Sequence, residues 1–423
     1  MRSSLESDVG NPIRRTGLES LRQNLTAYVA VVWGFCAYFP IGVMYLNVLL
    51  MLTALAISPG LGMAFERLRQ QPVVLPLVLF LLWTLVAAAA GDWYPDTSTR
   101  IFHTLRVALV LCMGMMLTGN QAVRAFAGFA CGSAVAAFLV ALHNTWGLPE
   151  WSLWNSLLAN RNNFSSGNMI TMATASGACF ALAIHPARDR ASRVVLLALA
   201  VALGTTVALH AVSRNAQLLL AGLLLVALIY RFRSIKAVVG GLASVALMVM
   251  ATWTLSPTTS QRFGMLADEM HAVVSAHNYS SSVGVRWRMY EEAVQGMVDH
   301  PVLGTGVGYW LPHWVSVWRE LGPSQPPELR SAFSDINNPH NDFLLTGMET
   351  GVPGLILMAW WLGSLVRSGW RRNSAAGAIS TIFGMSVVAT AMVNAPLRDA
   401  ALGMTLLWLL GASVALTDGR ADA

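Results

Sequence analysis

Apolar runs of about 20 residues recur along most of this chain, each long enough to cross a hydrocarbon core of ~30 Å. Burying such runs in water would require a charged coat. The chain lacks one: 55% of its 423 residues are hydrophobic and 11% are charged, against roughly 25% charged in soluble domains. The fold class that follows is an all-α polytopic integral membrane protein. A transmembrane β-barrel would show short alternating segments instead.

About twelve transmembrane helices are expected, near 25–40, 43–58, 72–90, 99–118, 122–143, 163–184, 193–211, 214–231, 236–256, 340–366, 374–394 and 399–416. The first two are short and split near Pro40 and Gly42, so a bent hairpin and one long kinked helix both stay open. Residues 1–256 then hold the N-terminus and about nine spans, 257–339 form a long connection, and 340–423 hold about three spans and the C-terminus. Most of the Lys and Arg residues fall at the termini and on the even-to-odd connections, Arg67, Arg69, Arg188, Arg190, Arg193, Arg231, Arg233, Arg367, Arg371 and Arg372 among them. The positive-inside rule makes both termini cytoplasmic and turns 257–339 outward. The polar N-terminal stretch leads into a first span rather than a cleavable signal peptide. The net charge of +6 is scattered over short loops with no recognisable nucleic-acid module, so no nucleic-acid partner is expected. Cys36, Cys112, Cys131 and Cys179 lie inside apolar runs without paired or metal-site spacing and read as packing residues. No internal repeat is evident, which disfavours inverted-repeat transporters.

Pro257, Pro312, Pro323, Pro326 and Pro327 punctuate the long connection. Two helical stretches are predicted in it. Ser260 to Ala276 places Phe263, Leu266, Met270 and Val273 on one stripe, and Arg286 to His300 places Tyr290, Ala293 or Val294, and Met297 on another. About 80 residues make a marginal independent core, so a lid over the membrane domain is expected. Gly304-Thr305-Gly306-Val307-Gly308 has the glycines of a phosphate loop but neither the preceding strand nor the Lys-Ser or Lys-Thr, and reads as a flexible turn. His271, His277, His300 and His313 show no metal-ligand pattern. No Asp- or Glu-rich site suits Mg²⁺ or Mn²⁺, so neither a metal nor a cofactor is expected.

His340 is the first candidate for chemistry. Asn338-Pro339 suits a helix start, with Asn as N-cap and Pro at the first position. His340 would then lie in the first turn, where the helix dipole disfavours the imidazolium. A neutral imidazole there is a competent general base. The alternative is a residue that merely orders the loop. Gly347, Gly351 and Gly354 follow on one side of the helix and allow close packing or room for a lipid chain. Arg214, between two apolar runs, reads either as a bidentate phosphate ligand or as an interfacial anchor. Arg286 and Arg288 could join it on a diphosphate, or pair with Glu291 and Glu292 at helical spacing. Arg161, in Asn160-Arg161-Asn162-Asn163, is a further outward arginine at a span end.

Three stretches together resemble the superfamily of bacterial O-antigen ligases and O-antigen polymerases. They are Ser213-Arg214 opening a span, Arg286 followed by His300-Pro301-Val302-Leu303-Gly304-Thr305-Gly306, and His340-Asn341-Asp342-Phe343-Leu344 continuing to Glu349-Thr350-Gly351-Val352-Pro353-Gly354. The resemblance implies a glycosyltransferase at the periplasmic face of the bacterial inner membrane. Its donor would be an undecaprenyl-diphosphate-linked glycan. Ligases of the superfamily transfer that glycan to lipid A–core in lipopolysaccharide assembly, and their relatives extend the glycan or glycosylate proteins. Carried over residue by residue, the family histidine falls on His340, its loop arginine on Arg286 and its span-end arginine on Arg214. Arg288 has no firm counterpart. The implied reaction is inverting and metal-independent. His340 takes a proton from the acceptor hydroxyl while arginines stabilise the departing diphosphate. No carboxylate pair of glycosidase type is identifiable.

The length, the lack of a large extra domain and the span layout favour the ligase branch, with the polymerase as the alternative. A transporter or lipid flippase belongs to a different class. It would place charged sites near the bilayer midplane, whereas these spans look almost free of charge.

Overall fold

The computed structural model describes residues 17–147, 158–160, 163–164, 166–211, 213–255, 257–276 and 278–417. In chain order the helices are α1 (Gly17–Phe35), α2 (Ile41–Ala56), α3 (Leu61–Arg69), α4 (Val74–Ala90), α5 (Thr97–Met115), α6 (Gly119–Trp146), α7 (Ser166–Ala183), α8 (Arg190–His210) and α9 (Arg214–Phe232). They continue as α10 (Ile235–Leu255), α11 (Pro257–Ala276), α12 (Ser282–Asp299), α13 (Trp310–Leu321), α14 (Pro327–Phe333), α15 (Asp342–Trp370), α16 (Ala375–Val393) and α17 (Ala400–Thr417). The all-helical expectation has one small exception. Strands β1 (Leu158–Asn160) and β2 (Asn163–Phe164) pair antiparallel between α6 and α7.

Among the described residues six helices are long and apolar enough to cross a membrane: α6, α8, α9, α15, α16 and α17. A seventh span results if α2 and α3, bent by 108° at their junction, count as one. The expected count of about twelve exceeds this for physical reasons. The apolar helices Asn24–Tyr38 and Val74–Ala90 are short, α5 carries Arg100, His103 and Arg106, and α7 is diluted by Ser, Thr, Gly and Asn. Pro40 caps α2 after a 3-10 turn at Cys36–Tyr38, so the first two apolar runs are separate helices.

The bundle is apolar outside as well as inside, as a lipid-facing surface requires. On α8, Val194, Val195 and Val201 are exposed. Cys131 is likewise exposed, whereas Cys36 and Cys179 pack inside. The central helix is α17, which lies along α5 and α16 and stacks Trp408 on Trp33 of α1 at 4.5 Å between ring centroids. Glycines set the closest approaches. A Cβ on Gly114 of α5 would lie 2.3 Å from the Trp408 carbonyl oxygen, and one on Gly411 of α17 would lie 2.2 Å from that of Leu111. Small residues at such crossings let membrane helices pack by backbone contact.

The stretch from α12 to α14 shares a core with the start of α15. Trp310, Trp314 and Trp318 of α13, Phe333 of α14, and Val285, Met289 and Ala293 of α12 pack with Leu345 and Met348 of α15. The buried stripe of α12 keeps Ala293 but not Val294, which is exposed. On the predicted stripe of α11, Val273 is buried, while the side chains of Phe263 and Leu266 lie outside the described residues.

α15 is kinked at Gly351, whose φ of 72° and ψ of −177° belong to no helix. Pro353 follows, and a proline there cannot supply the backbone donor the helix needs. The groups freed by the kink find other partners. Val352 N donates to the Pro301 carbonyl at 2.8 Å, and Trp83 Nε1 of α4 donates to the Thr350 carbonyl at 2.8 Å. Thr305 N and Oγ1 both donate to the Met348 carbonyl, at 2.8 and 3.1 Å. The glycine-rich stretch is therefore a docked turn rather than a flexible one. Its far side is also held: Tyr94 donates to the Thr305 carbonyl at 3.2 Å and Thr97 to the Val307 carbonyl at 2.6 Å.

A side chain at Gly351 would meet the Val302 carbonyl oxygen at 2.3 Å in a conformation essentially reserved for glycine. Gly351→Ala should therefore cost about 1–3 kcal/mol from the backbone alone, read as a lower unfolding midpoint in detergent. A midpoint equal to that of the unsubstituted protein would show that the kink relaxes freely.

Candidate functional site

Three helix ends meet where α9 and α15 begin and α16 ends, with α12 packed on α15 beside them. Here the structure corrects the expected start of α15. Asn341, not Asn338, is the N-cap, and its Oδ1 accepts from Leu344 N at 3.0 Å. Asn338 instead turns its side chain onto His340 N at 2.9 Å, an Asx-type turn. His340 thus precedes the helix, with a left-handed backbone of φ 54°. That region is uncommon for residues other than glycine, and such conformations gather at functional sites.

The expectation of a neutral ring has a different cause from the helix dipole. Burial pushes the His340 pKa down to about 4, helped by the Arg286 guanidinium and opposed by a side-chain hydrogen bond with Asn394. Arg286 is itself partly buried, and its Nε is enclosed without a hydrogen-bond partner. Burial holds its pKa below the usual guanidinium range, Tyr290 pulls it back up, and the charge of Arg214 lowers it further. Arg286 therefore lies within electrostatic reach of both Arg214 and His340, residues far from it in sequence. Arg214 Nη2 also contacts Glu269 Oε2 of α11 at 3.5 Å.

Arg288 takes the other course that its spacing allowed. Its guanidinium pairs with Glu292 and, at 3.3 Å, with Glu291, and lies over the Tyr279 ring at 5.9 Å. Glu292 also holds His313 Nε2 at 2.7 Å. The diphosphate role considered for Arg288 thus meets a charge already matched by carboxylates. Arg161 lies outside the described residues.

Three further residues stand at this end that sequence reasoning did not assign to the site. Tyr290, one turn after Arg286, makes a side-chain hydrogen bond with Asn341. Asn341 Nδ2 donates to the Met392 carbonyl at 2.9 Å. Asn394 comes from the α16–α17 connection. Helical spacing links Tyr290 to Arg286, but nothing in the sequence joins either to residue 394.

Beneath the site lies a buried ion network that the sequence also hid. Arg100 of α5 contacts Asp96 at 2.9 Å and Glu349 of α15 at 3.3 Å, and donates to the Asn337 carbonyl. Arg398 reaches Glu349 at 3.7 Å, and Asp342 Oδ2 accepts from Leu397 N at 2.8 Å. Arg106 adds a bond to the Arg398 carbonyl at 3.0 Å. Burial holds the Arg398 guanidinium below its ordinary range. The expectation of nearly charge-free spans is corrected accordingly: Arg100 and Glu349 sit in helices with 1% side-chain exposure. The network fixes residues 394–399 against α5 and α15, and so fixes Asn394 beside His340.

Together the fold and these residues define a multi-pass helical membrane protein with a cationic, histidine-bearing cluster at one end. Residues 199–359 match the O-antigen ligase family, in line with the O-antigen ligase/polymerase superfamily. The match runs from α8 through the kink of α15, and so spans Arg214, Arg286, Arg288 and His340. It supports a glycosyltransferase-like ligase or polymerase activity. No curated protein matches the chain.

Proposed function

We propose that this protein is an O-antigen ligase of the bacterial inner membrane, with the His340 end facing the periplasm and both termini cytoplasmic. It would move glycan from undecaprenyl diphosphate to lipid A–core without a metal. The observation that carries the reading is Arg286: a partly buried guanidinium with an enclosed, unpartnered Nε, within electrostatic reach of both Arg214 and His340. An unmatched buried cation is costly, and an anionic ligand relieves it. A diphosphate taken up between Arg214 and Arg286 would also raise the His340 pKa toward working pH, where a general base is most effective. The acceptor hydroxyl oxygen then bonds to the anomeric carbon as the carbon–oxygen bond to the diphosphate breaks. The hydroxyl proton passes to His340, and the diphosphate keeps the bond electrons. An apolar groove of about 230 Å³ runs from Asn215 between α7, α9 and α16 and suits the start of a polyprenyl tail.

Reconstitution with lipid-linked glycan and lipid A–core, in buffer containing a chelator, should give core capped with glycan. Lengthened lipid-linked glycan without capped core would assign the polymerase. A strict need for divalent metal would overturn the arginine mechanism.

The two loop arginines should separate cleanly in the same assay. Arg286→Ala removes a charge-stabilising donor and should lower turnover about 10²–10³-fold. Arg288→Ala removes only partly exposed ion pairs, worth about 0–1 kcal/mol each, and should leave turnover within a few-fold. Equal losses in both variants would place Arg288 in the site after all.

A further inference from the structure

At the opposite end of the bundle a second recess opens between α6, α7, α8, α16 and α17. It encloses about 430 Å³, within the ~300–1,000 Å³ range of ligand pockets. Its walls include Phe126, Ala130, Cys179, Leu182 and Ile379, and its charged lining residue is Arg188. The connectivity fixes its position. α8 runs from Arg190 beside this recess to His210, next to where α9 starts with Arg214. The recess and the His340 site are therefore one membrane-spanning helix length apart.

The mouth is strongly cationic. His185 lies among Arg231, Arg188 and Arg193, whose charges join burial in holding its ring below the ordinary histidine range. The neighbouring acid, Asp189, is spent on the start of α8, with its two oxygens on Ser192 N at 2.9 Å and Ser192 Oγ at 2.7 Å. Arg188 itself is exposed at the rim. An apolar recess with Arg188 at its rim and Arg193 and Arg231 close by, on the Pro186 and Ile184 carbonyls, matches a molecule with a hydrocarbon chain and an anionic head. Basic pockets between membrane helices bind such lipids.

We propose that this recess binds an anionic glycerophospholipid of the surrounding bilayer, with an acyl chain between α6 and α8 and the phosphate at Arg188. The site is separate from the glycan-transfer site and does not depend on that assignment.

The test uses the full chain in mild detergent, offered phosphatidylglycerol or phosphatidylcholine and read by native mass spectrometry. Phosphatidylglycerol should be retained in preference to phosphatidylcholine. Arg188→Glu should weaken retention roughly tenfold or more, as expected for a lost charge-assisted contact. Ala127→Trp fills the recess from an exposed position on α6 and should abolish retention while leaving the unfolding midpoint unchanged. Equal binding of the two lipids, retention unaffected by Arg188→Glu and Ala127→Trp, or displacement by millimolar inorganic phosphate alone would each overturn the proposal.

Discussion

His340→Ala should lower glycan transfer by about 10²–10⁴-fold, the usual contribution of a positioned general base, with little change in donor binding. The substituted ring is half-buried at the surface of the helical end, so the fold should survive. The pH dependence is the sharper test. The His340 pKa of about 4 lies below the ordinary ~6.5, so the free enzyme keeps its base form down to about pH 4. The acid limb of kcat/KM, which reports free enzyme, should fall near pH 4, and His340→Ala should lose it. Removing the Arg286 charge takes away a cause of the depression. In Arg286→Ala the ring should titrate closer to its ordinary value, as read by NMR of labelled histidine. The same shift bears on stability. With the folded value below the unfolded one, protonation penalises the folded state. Stability is unaffected above about pH 6.5 and declines as pH falls from there through about 4. An unchanged acid limb in His340→Ala would remove the histidine from the proton transfer.

Glu349→Ala should be the most destabilising single change. Glu349 is the shared counter-charge of Arg100 and Arg398; Glu349 and Arg100 are buried and Arg398 is largely covered. Deleting one partner of a buried ion pair costs about 3–5 kcal/mol; here Arg100 keeps Asp96, while Arg398 loses its carboxylate contact. Glu349→Gln keeps the shape and an acceptor oxygen, so it should lose less. The unfolding midpoint in detergent measures both. Because the network also fixes the connection bearing Asn394, Glu349→Gln should change the His340 titration, which a purely local packing effect would leave alone. A loss under about 1 kcal/mol for Glu349→Ala would mean that the network is relieved by water.

Membrane character and helix content were legible because apolar run length is a local property. Which runs become full spans was less so. Helix length depends on caps, bends and buried charges, as the 108° break between α2 and α3 shows. Arg286 and Arg288 illustrate the middle ground. Two residues apart on a helix, they point in nearly opposite directions, and the acids at Glu291 and Glu292 already marked the partners of Arg288. The capping of α15 misled because Asn338-Pro339 and Asn341-Asp342 are both good helix starts. The chain chose the second, and the left-handed backbone at His340 separates the two. Arg100 with Glu349, and His340 with Asn394, were beyond reach. Each pair joins elements that only tertiary packing brings together, and a lone arginine near a span start gives no hint of a distant glutamate.

The docked glycine turn has a mechanical meaning. Pro301, Thr305 and Val307 of this turn tie the end of α12 to the bend of α15, to the α4–α5 connection and to the start of α5 through backbone and hydroxyl bonds. α12 carries Arg286 and α15 is headed by His340, so the two side chains ride on one splinted frame. Their separation is set before any ligand arrives. Swinging α12 aside would tear the splint and open the bend, so the spacing of imidazole and guanidinium is a property of the fold rather than of what binds there.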